Sequence, residues 1–317
     1  MLDTLVFSLN AVAPLALLMA LGGVLKWRKF LSEDFFSKAN KLSYSILLPV
    51  MLFCNICDNA AAVSDFDWKY VGIAVGTICL AFILLMLMIP LIVRDKKRIG
   101  VVVQGIFRSN FIIFGVPVVT NMFGEGELWT TTMLLPFVIP VFNVLAVFAL
   151  TWHMSDQHGG KRVRETFLDI IKNPLIIASI LSYLFIFLKI PLPSAIYATL
   201  KNLKSMGTPL ALIALGGTLT FSSMRANRKI LAGVMLGKLV LMPLLVLPAA
   251  ILIGYRGSTI GALLALSGSP TAVSSYVMAQ QTGNDGDLAG QVVVLTTVAS
   301  VATIFFWIFL LRTLNYL

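Results

Sequence analysis

Apolar residues run along this chain in long blocks that short polar stretches separate. Each block holds about 17 to 25 residues, the length at which an α-helix crosses a bilayer. We therefore predict ten transmembrane helices, at about residues 5–25, 39–57, 70–93, 100–123, 130–153, 171–189, 202–221, 229–254, 258–281 and 289–312. No stretch between them is long or polar enough for a separate soluble domain. The pattern predicts one all-α membrane protein.

Composition and charge agree with this pattern. The chain is 58% hydrophobic and only 12% charged, whereas soluble domains are about 25% charged. In the ten-helix arrangement, loops on one side carry 16 Lys and Arg and segments on the other side carry 6. Positive loops face the cytoplasm, so we expect a multi-pass cytoplasmic-membrane protein with both termini outside. Most of the Lys and Arg residues that give the net charge of +10 lie on these loops. We therefore expect them to contact lipid headgroups of the bilayer and not nucleic acid.

The chain lacks the residue clusters that catalysis or metal binding would need. Its three cysteines lie in or beside apolar blocks, and Cys54 and Cys57 have metal-site spacing without a second ligand pair. An intramembrane hydrolase would need histidine or aspartate within the blocks, or a His-Glu-x-x-His motif, and neither occurs. We therefore predict no catalytic residues, no metal and no cofactor, and we do not expect an enzyme.

Two Gly-x-Pro sequences interrupt apolar blocks at Gly115–Pro117 and Gly268–Pro270. Proline removes a backbone donor and glycine permits unusual conformations, so both sequences should break a helix. Irregular backbone in a membrane survives only inside protein or beside a wet cavity. Paired breaks in two halves are the sequence feature that best indicates the binding site of a secondary transporter.

The two breaks lie 153 residues apart in a chain of 317. Two prolines, at positions 49 and 209, and two similar motifs, at residues 88–93 and 241–246, recur at comparable offsets. Five helices per half is an odd number, so the second half should be inverted. We predict a first five-helix repeat over residues 1–154, a cytoplasmic connecting loop over 155–170 and an inverted repeat over 171–317, with the broken helices four and nine contacting each other.

Polar residues beside the two breaks are the candidate substrate ligands. Backbone N–H groups of half-helices that begin near the prolines would form an anion site. The side-chain candidates include two cations inside apolar blocks, Arg108 and Lys238, and no Asp or Glu lies there to neutralise them. The full candidate set is Asn110, Arg108, Gly115, Pro117, Asn143, Ser269, Pro270, Thr271, Ser274 and Lys238. This charge balance points to an anionic substrate.

The segment Asn110 to Pro117, with its Asn-x4-Gly-x-Pro pattern, resembles the crossover segment of the auxin efflux carrier family, which includes bacterial malate and malonate permeases. Residues 270–274, followed by Ala279 and Gln280, look like the ninth-helix crossover of that family, and Asn143 resembles its fifth-helix asparagine. The resemblance implies a ten-helix fold like that of bile-acid sodium symporters, in which the substrate carboxylate binds where helices four and nine cross. The aromatic auxin pocket is not recognisable, so the resemblance favours a small mono- or dicarboxylate.

The expected function is therefore a secondary carrier of a small organic anion such as malate or malonate, working by alternating access. A carrier of a neutral or cationic solute and a membrane sensor are the alternatives. Without buried carboxylates, a sodium site would have to use carbonyls, hydroxyls and amides. Sodium coupling, proton coupling, uncoupled transport and a homodimeric state all remain open at this point.

Overall fold

The computed structural model describes residues 2–59, 67–154, 160–219 and 221–317, and regular structure in these ranges is helical. Seventeen α-helices follow in chain order, and three π-helical turns lie at Ser43–Leu47, Phe111–Gly115 and Gly237–Leu241. The helices are α1 Leu2–Trp27, α2 Glu33–Leu42, α3 Leu48–Asp58, α4 Trp68–Ile92, α5 Lys96–Phe107, α6 Val116–Phe123, α7 Trp129–Thr132, α8 Leu135–Trp152, α9 Gly160–Lys172, α10 Pro174–Phe187, α11 Ser194–Thr218, α12 Phe221–Ala226, α13 Arg228–Leu236, α14 Met242–Ile253, α15 Ser258–Gly268, α16 Val273–Gln281 and α17 Gly286–Thr313.

Within the described residues, five helical segments are long and apolar enough to cross a membrane, and a sixth joins them if α9 and α10, bent by 63°, form one span. The five are Glu33–Asp58, Trp68–Ile92, Trp129–Trp152, Arg228–Ile253 and Gly286–Thr313. Shorter apolar helices include Phe111–Phe123 and Ser258–Gly268. The all-α multi-pass membrane class is confirmed, while the ten-helix inverted repeat stays a prediction.

The predicted connecting loop over residues 155–170 is partly helical. Residues 155–159 lie outside the described part, and α9 occupies Gly160–Lys172. Apolar residues such as Phe167, Ile170 and Ile171 recur among the charges of α9 at helical spacing. Helix α9 contacts both α8 and α10. Phe167 and Ile171 are nevertheless 58% and 45% exposed, so the apolar face of α9 is not buried in the bundle.

Helices α1 and α11 pack closely because glycines lie at their contact. A Cβ added to Gly216 would stand 1.8 Å from the Met19 carbonyl oxygen, and one added to Gly22 would stand 2.0 Å from the Ile213 carbonyl oxygen. Small residues let membrane helices approach backbone to backbone, where dispersion contacts hold them together without a hydrophobic driving force. These glycines therefore fix the distance between α1 and α11.

The start of α5 is fixed to the start of α17. Asp95 caps α5 by accepting from the Lys97 N–H, and Asp285 caps α17 by accepting from the Leu288 N–H. The Arg98 Nε donates to Asp285 at 2.9 Å, and the Asp285 N–H donates to the Lys97 carbonyl at 3.1 Å. Carboxylates at helix N-termini are favoured by the helix dipole. This arrangement anchors one end of α5, whose other end enters the site.

Candidate functional site

Two helix interruptions meet inside the bundle. The first, residues 108–110, separates α5 from the π turn that precedes α6, and the second, residues 269–272, separates α15 from α16. Ser109 and Thr271 form an antiparallel β-bridge, and the Asn110 N–H donates to the Pro270 carbonyl at 2.8 Å. Backbone groups freed by unwinding must find partners in a membrane interior. Each interruption here supplies partners for the other.

The second interruption lies where Pro270 predicts it, but the first begins nine residues before Pro117 and ends seven residues before it. Pro117 instead lies in the first turn of α6, which continues directly from the π turn Phe111–Gly115, so its missing N–H removes one donor there without ending the helix. The π turn over Phe111–Gly115 widens the helix just before it. Helix α5 ends at Phe107 without a proline, because the following backbone pairs with the other interruption.

Gly115 has a packing role beside the interruptions. A Cβ at this position would stand 2.7 Å from the Phe111 ring and 3.1 Å from both the Ala265 carbonyl oxygen and the Ser269 Oγ. A side chain here would therefore push α15 away from the π turn. Gly115 maintains the close approach of the two interrupted segments and does not line the cavity described next.

A cavity of about 70 Å³ lies against the paired interruptions. Residues 108–113 and 272–274 line it together with residues of α3, α8, α10 and α11. The full lining is Leu48, Met51, Leu52, Asn55, Arg108, Ser109, Asn110, Phe111, Ile112, Ile113, Ile139, Phe142, Asn143, Leu175, Thr208, Ala211, Ala272, Val273 and Ser274. Among the described residues this lining contains a cation and amides but no carboxylate.

Arg108 is the cation of this cavity, with only 5% of its surface exposed. Its Nη2 donates to the Asn143 Oδ1 at 2.6 Å, and its Nη1 contacts the Met278 Sδ at 2.6 Å. Asn143 is itself oriented by donation from its Nδ2 to the Ile139 carbonyl at 3.0 Å. No carboxylate pairs with Arg108 in the described residues. The guanidinium is therefore held in place by neutral partners, and its charge is not neutralised.

Asn110 has an unused donor at the same cavity. The residue is 5% exposed, and its buried Nδ2 has no hydrogen-bond partner in the part of the chain that the structure describes. A buried polar group without a partner destabilises a protein by about 1–3 kcal/mol. Such a group at a cavity wall is positioned to bind a ligand that accepts a hydrogen bond.

Two helix N-termini also face the cavity. Phe111 begins the π turn and Val273 begins α16, and both residues line the cavity. Neither N-terminus is capped by a side chain. The first N–H groups of a helix lack intrahelical acceptors and carry partial positive charge. The cavity therefore combines two sets of oriented backbone donors with Arg108 and Asn110.

Lys238 is fully buried but does not line this cavity. From the π turn Gly237–Leu241, its Nζ donates to the Ser109 Oγ and, at 3.2 Å, to the Ser267 carbonyl. Ser267 lies in the last turn of α15, where the helix dipole is negative. Lys238 thus binds the interruptions where α5 and α15 end. The cavity lies on the other side, where the π turn at Phe111 and helix α16 begin.

Among the remaining predicted residues, Thr271 and Ser269 form hydrogen bonds within the protein and do not line the cavity. The Thr271 Oγ1 donates to the Gly105 carbonyl at 2.6 Å, and the Thr271 N–H donates to the Thr296 Oγ1 at 3.1 Å. Ser269 donates to the Ala265 carbonyl one turn earlier. Ser274 does line the cavity. Of the ten predicted site residues, the structure therefore brings Arg108, Asn110, Asn143 and Ser274 to the cavity surface.

The sequence did not single out three polar lining residues, Ser109, Asn55 and Thr208. Asn55 lies within an apolar block and is 5% exposed, and Thr208 precedes Pro209 in α11. Asparagine inside a membrane helix is itself a signal for interhelical contact or a lined cavity. A search for every polar residue within apolar blocks would have included all three, although it would not have ranked them.

A helical bundle with two paired interruptions beside a buried polar cavity has the features of a secondary membrane transporter. Residues 7–308 match the family described as "Membrane transport protein", and the chain belongs to this family. The resemblance to auxin efflux carriers is thereby confirmed at the level of the family, and the chain is a membrane transporter rather than an enzyme.

Two archaeal relatives span nearly the whole chain. An uncharacterised transporter of Methanocaldococcus jannaschii is 23% identical over 307 residues, covering 94% of this chain and 97% of the relative. An uncharacterised transporter of Methanothermobacter thermautotrophicus is 22% identical over 314 residues, covering 95% and 97% respectively. Both relatives support a transporter, and neither is described by a substrate.

Proposed function

We propose that this protein carries a small organic anion, such as malonate or malate, across the cytoplasmic membrane. The observation that carries the proposal is the donor set at the cavity: Arg108, the Asn110 Nδ2 and the uncapped N-termini at Phe111 and Val273. No carboxylate opposes these donors among the described lining residues. An anion would supply the acceptors and the negative charge that the buried guanidinium lacks.

The size of the cavity favours a small substrate. A volume of about 70 Å³ accommodates roughly five to seven water-sized probes. This room suits a short dicarboxylate, and the aromatic auxin pocket is not recognisable in the sequence. Apolar lining residues, among them Leu52, Ile113 and Phe142, would contact a short methylene segment. We therefore favour malonate or malate over auxin.

We propose alternating access as the mechanism of transport. The interrupted segments and helices α3 and α11 all line the cavity, and we take the first as one wall and the two helices as the other. Movement of these two walls relative to each other would open the cavity to one membrane face at a time. In the predicted inverted five-plus-five arrangement, the two directions of opening would be related by symmetry. A cross-link between cysteines at Met51 and Ile112 should stop transport, and transport that continues under full cross-linking would contradict this mechanism.

Lys238 favours transport without sodium. Half-helix C-termini and unwound carbonyls are the groups that hold coupling cations in carriers with broken helices. Here the Lys238 ammonium already binds the Ser267 carbonyl and the Ser109 Oγ at such a position. We infer that Lys238 serves as a fixed internal cation. Uptake should therefore be unchanged when choline replaces sodium, and an absolute requirement for sodium would contradict this inference.

A thermal-shift screen tests the anion proposal directly. A ligand that binds the folded state raises its stability by about 2.7 kcal/mol at one hundred times its dissociation constant. Malonate and malate should raise the unfolding temperature of the purified protein, whereas malonamide, the neutral analogue of malonate, should not. Stabilisation by neutral or cationic solutes alone would overturn the proposal in favour of a carrier for those solutes.

A further inference from the structure

A groove of about 730 Å³ lies on the outer surface of the bundle, away from the cavity of the site. One wall is α4, from Ala81 to Val93, and the other runs from Lys229 in α13 to Leu245 in α14. Val102 and Ile106 of α5 line it as well. None of these residues lines the cavity beside the interruptions. The groove is therefore a separate feature of the fold.

The groove is apolar and faces outward. Met88 is 56% exposed and Ile92 is 74% exposed on one wall, and Leu241 is 54% exposed on the other. A Cβ added to Gly233 would have no heavy atom within 4 Å, so the groove stays open at this point. Apolar side chains exposed on a membrane-spanning helix face hydrocarbon. The medium around this groove is therefore the acyl-chain region of the bilayer.

One end of the groove carries cations. Arg94, Arg98 and Lys229 line this end together with Asp95. Arg98 is paired with Asp285 at 2.9 Å and with Asp95 at 3.4 Å. Arg94 and Lys229 are exposed and have no ion pair among the residues that the structure describes. Two uncompensated positive charges thus lie where the apolar walls end.

The length of the groove matches one leaflet of a bilayer. From Ala81 to Ile92 the α4 wall rises about 16 Å, and half of a hydrocarbon core is about 15 Å deep. Arg94 and Lys229 lie in segments that the charge distribution of the sequence predicts to be cytoplasmic. Anionic lipids are concentrated in the cytoplasmic leaflet, where juxtamembrane cations bind them.

We propose that this groove binds an anionic phospholipid of the surrounding bilayer. The acyl chains would lie between α4 and α13–α14, and the phosphate would bind Arg94 and Lys229. The groove wall includes Gly237, the first residue of the π turn that carries Lys238. A lipid in the groove would therefore contact the element that holds the paired interruptions from behind. The proposal is independent of which solute the carrier moves.

Lipid titration of the purified protein in neutral detergent tests the proposal. The probes are dioleoylphosphatidylglycerol, dioleoylphosphatidylcholine with the same acyl chains, and inorganic phosphate, and the readouts are thermal unfolding and native mass spectrometry. Phosphatidylglycerol should bind more tightly and stabilise more than phosphatidylcholine, and phosphate should have no effect. Equal binding of the two lipids would overturn the anionic site. If inorganic phosphate stabilised the protein and the lipids did not, the occupant would not be a lipid. A dimer without bound lipid in native mass spectrometry would contradict the lipid in the same way.

Matched variants assign the binding to the groove. The double variant Arg94→Gln/Lys229→Gln should lose about 30-fold in affinity for phosphatidylglycerol, since each cation near the surface contributes about fivefold. The control Lys29→Gln/Lys41→Gln, which removes two exposed cations elsewhere on the same predicted side, should retain wild-type affinity. If the control loses as much as the groove variant, the binding is a general charge effect and the proposal fails.

A second pair of variants fills space without changing charge. Gly233→Leu should occupy the groove and release both lipids, whereas Gly76→Leu, on an open face of α4, should release neither. Both substitutions replace glycine in a helix and should stabilise that helix to a similar extent. The comparison therefore isolates occupancy of the groove. Unchanged phosphatidylglycerol binding by Gly233→Leu would contradict the proposed position of the acyl chains.

Discussion

Replacing Asn110 with alanine should weaken substrate binding without weakening the fold. Among the described residues the Asn110 Nδ2 has no hydrogen-bond partner and is buried, so its removal breaks no bond with them. A buried unpartnered polar group is unfavourable by about 1–3 kcal/mol. The free energy of unfolding of Asn110→Ala should therefore equal or exceed that of the wild type.

Substrate binding should change in the opposite direction. A hydrogen bond to a charged group contributes about 1.5–3 kcal/mol, and 1.4 kcal/mol corresponds to a tenfold change in a dissociation constant. Loss of the Asn110 donor should therefore weaken anion binding by about 10- to 150-fold. Isothermal titration with malonate measures the affinity, and thermal unfolding without ligand measures the stability of the same preparation.

Asn143→Ala is the matched control for this prediction. Its Oδ1 accepts from Arg108 at 2.6 Å and its Nδ2 donates to Ile139, so its removal leaves a buried guanidinium without this partner. This variant should lose both stability and affinity. If Asn110→Ala loses stability as Asn143→Ala does, or retains wild-type affinity, the assignment of Asn110 as a ligand-binding donor is wrong.

Two further predictions concern the stability of the fold. Gly216→Ala should destabilise the fold by about 1–3 kcal/mol, because its Cβ would stand 1.8 Å from the Met19 carbonyl oxygen. At Gly23 the nearest atom to an added Cβ is 3.6 Å away, so Gly23→Ala should stabilise the fold by up to about 1 kcal/mol. Thermal unfolding distinguishes the two, and equal effects would refute this packing. Outside the spans, partial desolvation and the hydrogen bond to Asp67 raise the pKa of Tyr255 to about 12. Partial desolvation opposes ionisation of Asp67, but its hydrogen bonds, including the one from Tyr255, lower the pKa of this carboxyl. The contribution of this pair to folding stability should be fully present at neutral pH. It should decline as pH falls through the lowered pKa of Asp67 below 3.8, and also as pH rises from 10 towards 12. The difference in unfolding temperature between wild type and Tyr255→Phe should follow that profile, and a difference that is constant with pH would contradict it.

The sequence predicted the second interruption better than the first because the two have different causes. Pro270 lies within its own break, so a local rule about proline locates residues 269–272. Residues 108–110 contain no proline or glycine, and their unwinding accompanies the backbone pairing of Ser109 with Thr271 across more than 150 residues of chain. A contact of this range has no local signature. Local propensity therefore misplaced the first break by about two helical turns.

The two buried cations show a similar limit. Their presence and the absence of intramembrane carboxylates were readable from the sequence, and both suggested an anion site. Which cation faces the cavity depends on helix rotation and on the π turn at Gly237–Leu241. A π turn adds a residue to one helical turn and changes the direction of the side chains that follow. Arg108 accordingly lines the cavity and Lys238 does not.

Uptake of radiolabelled malonate into proteoliposomes tests the central claim most directly. Wild-type protein should accumulate the label above protein-free vesicles, excess malate should compete, and malonamide should not. Arg108→Gln should reduce uptake at least tenfold while its insertion into the vesicles equals that of wild type, because an unpaired charge in the low-dielectric cavity contributes more than about 1.4 kcal/mol to anion binding. Competition by malonamide, or full uptake by Arg108→Gln, would contradict an anion carrier that binds its substrate at the paired interruptions.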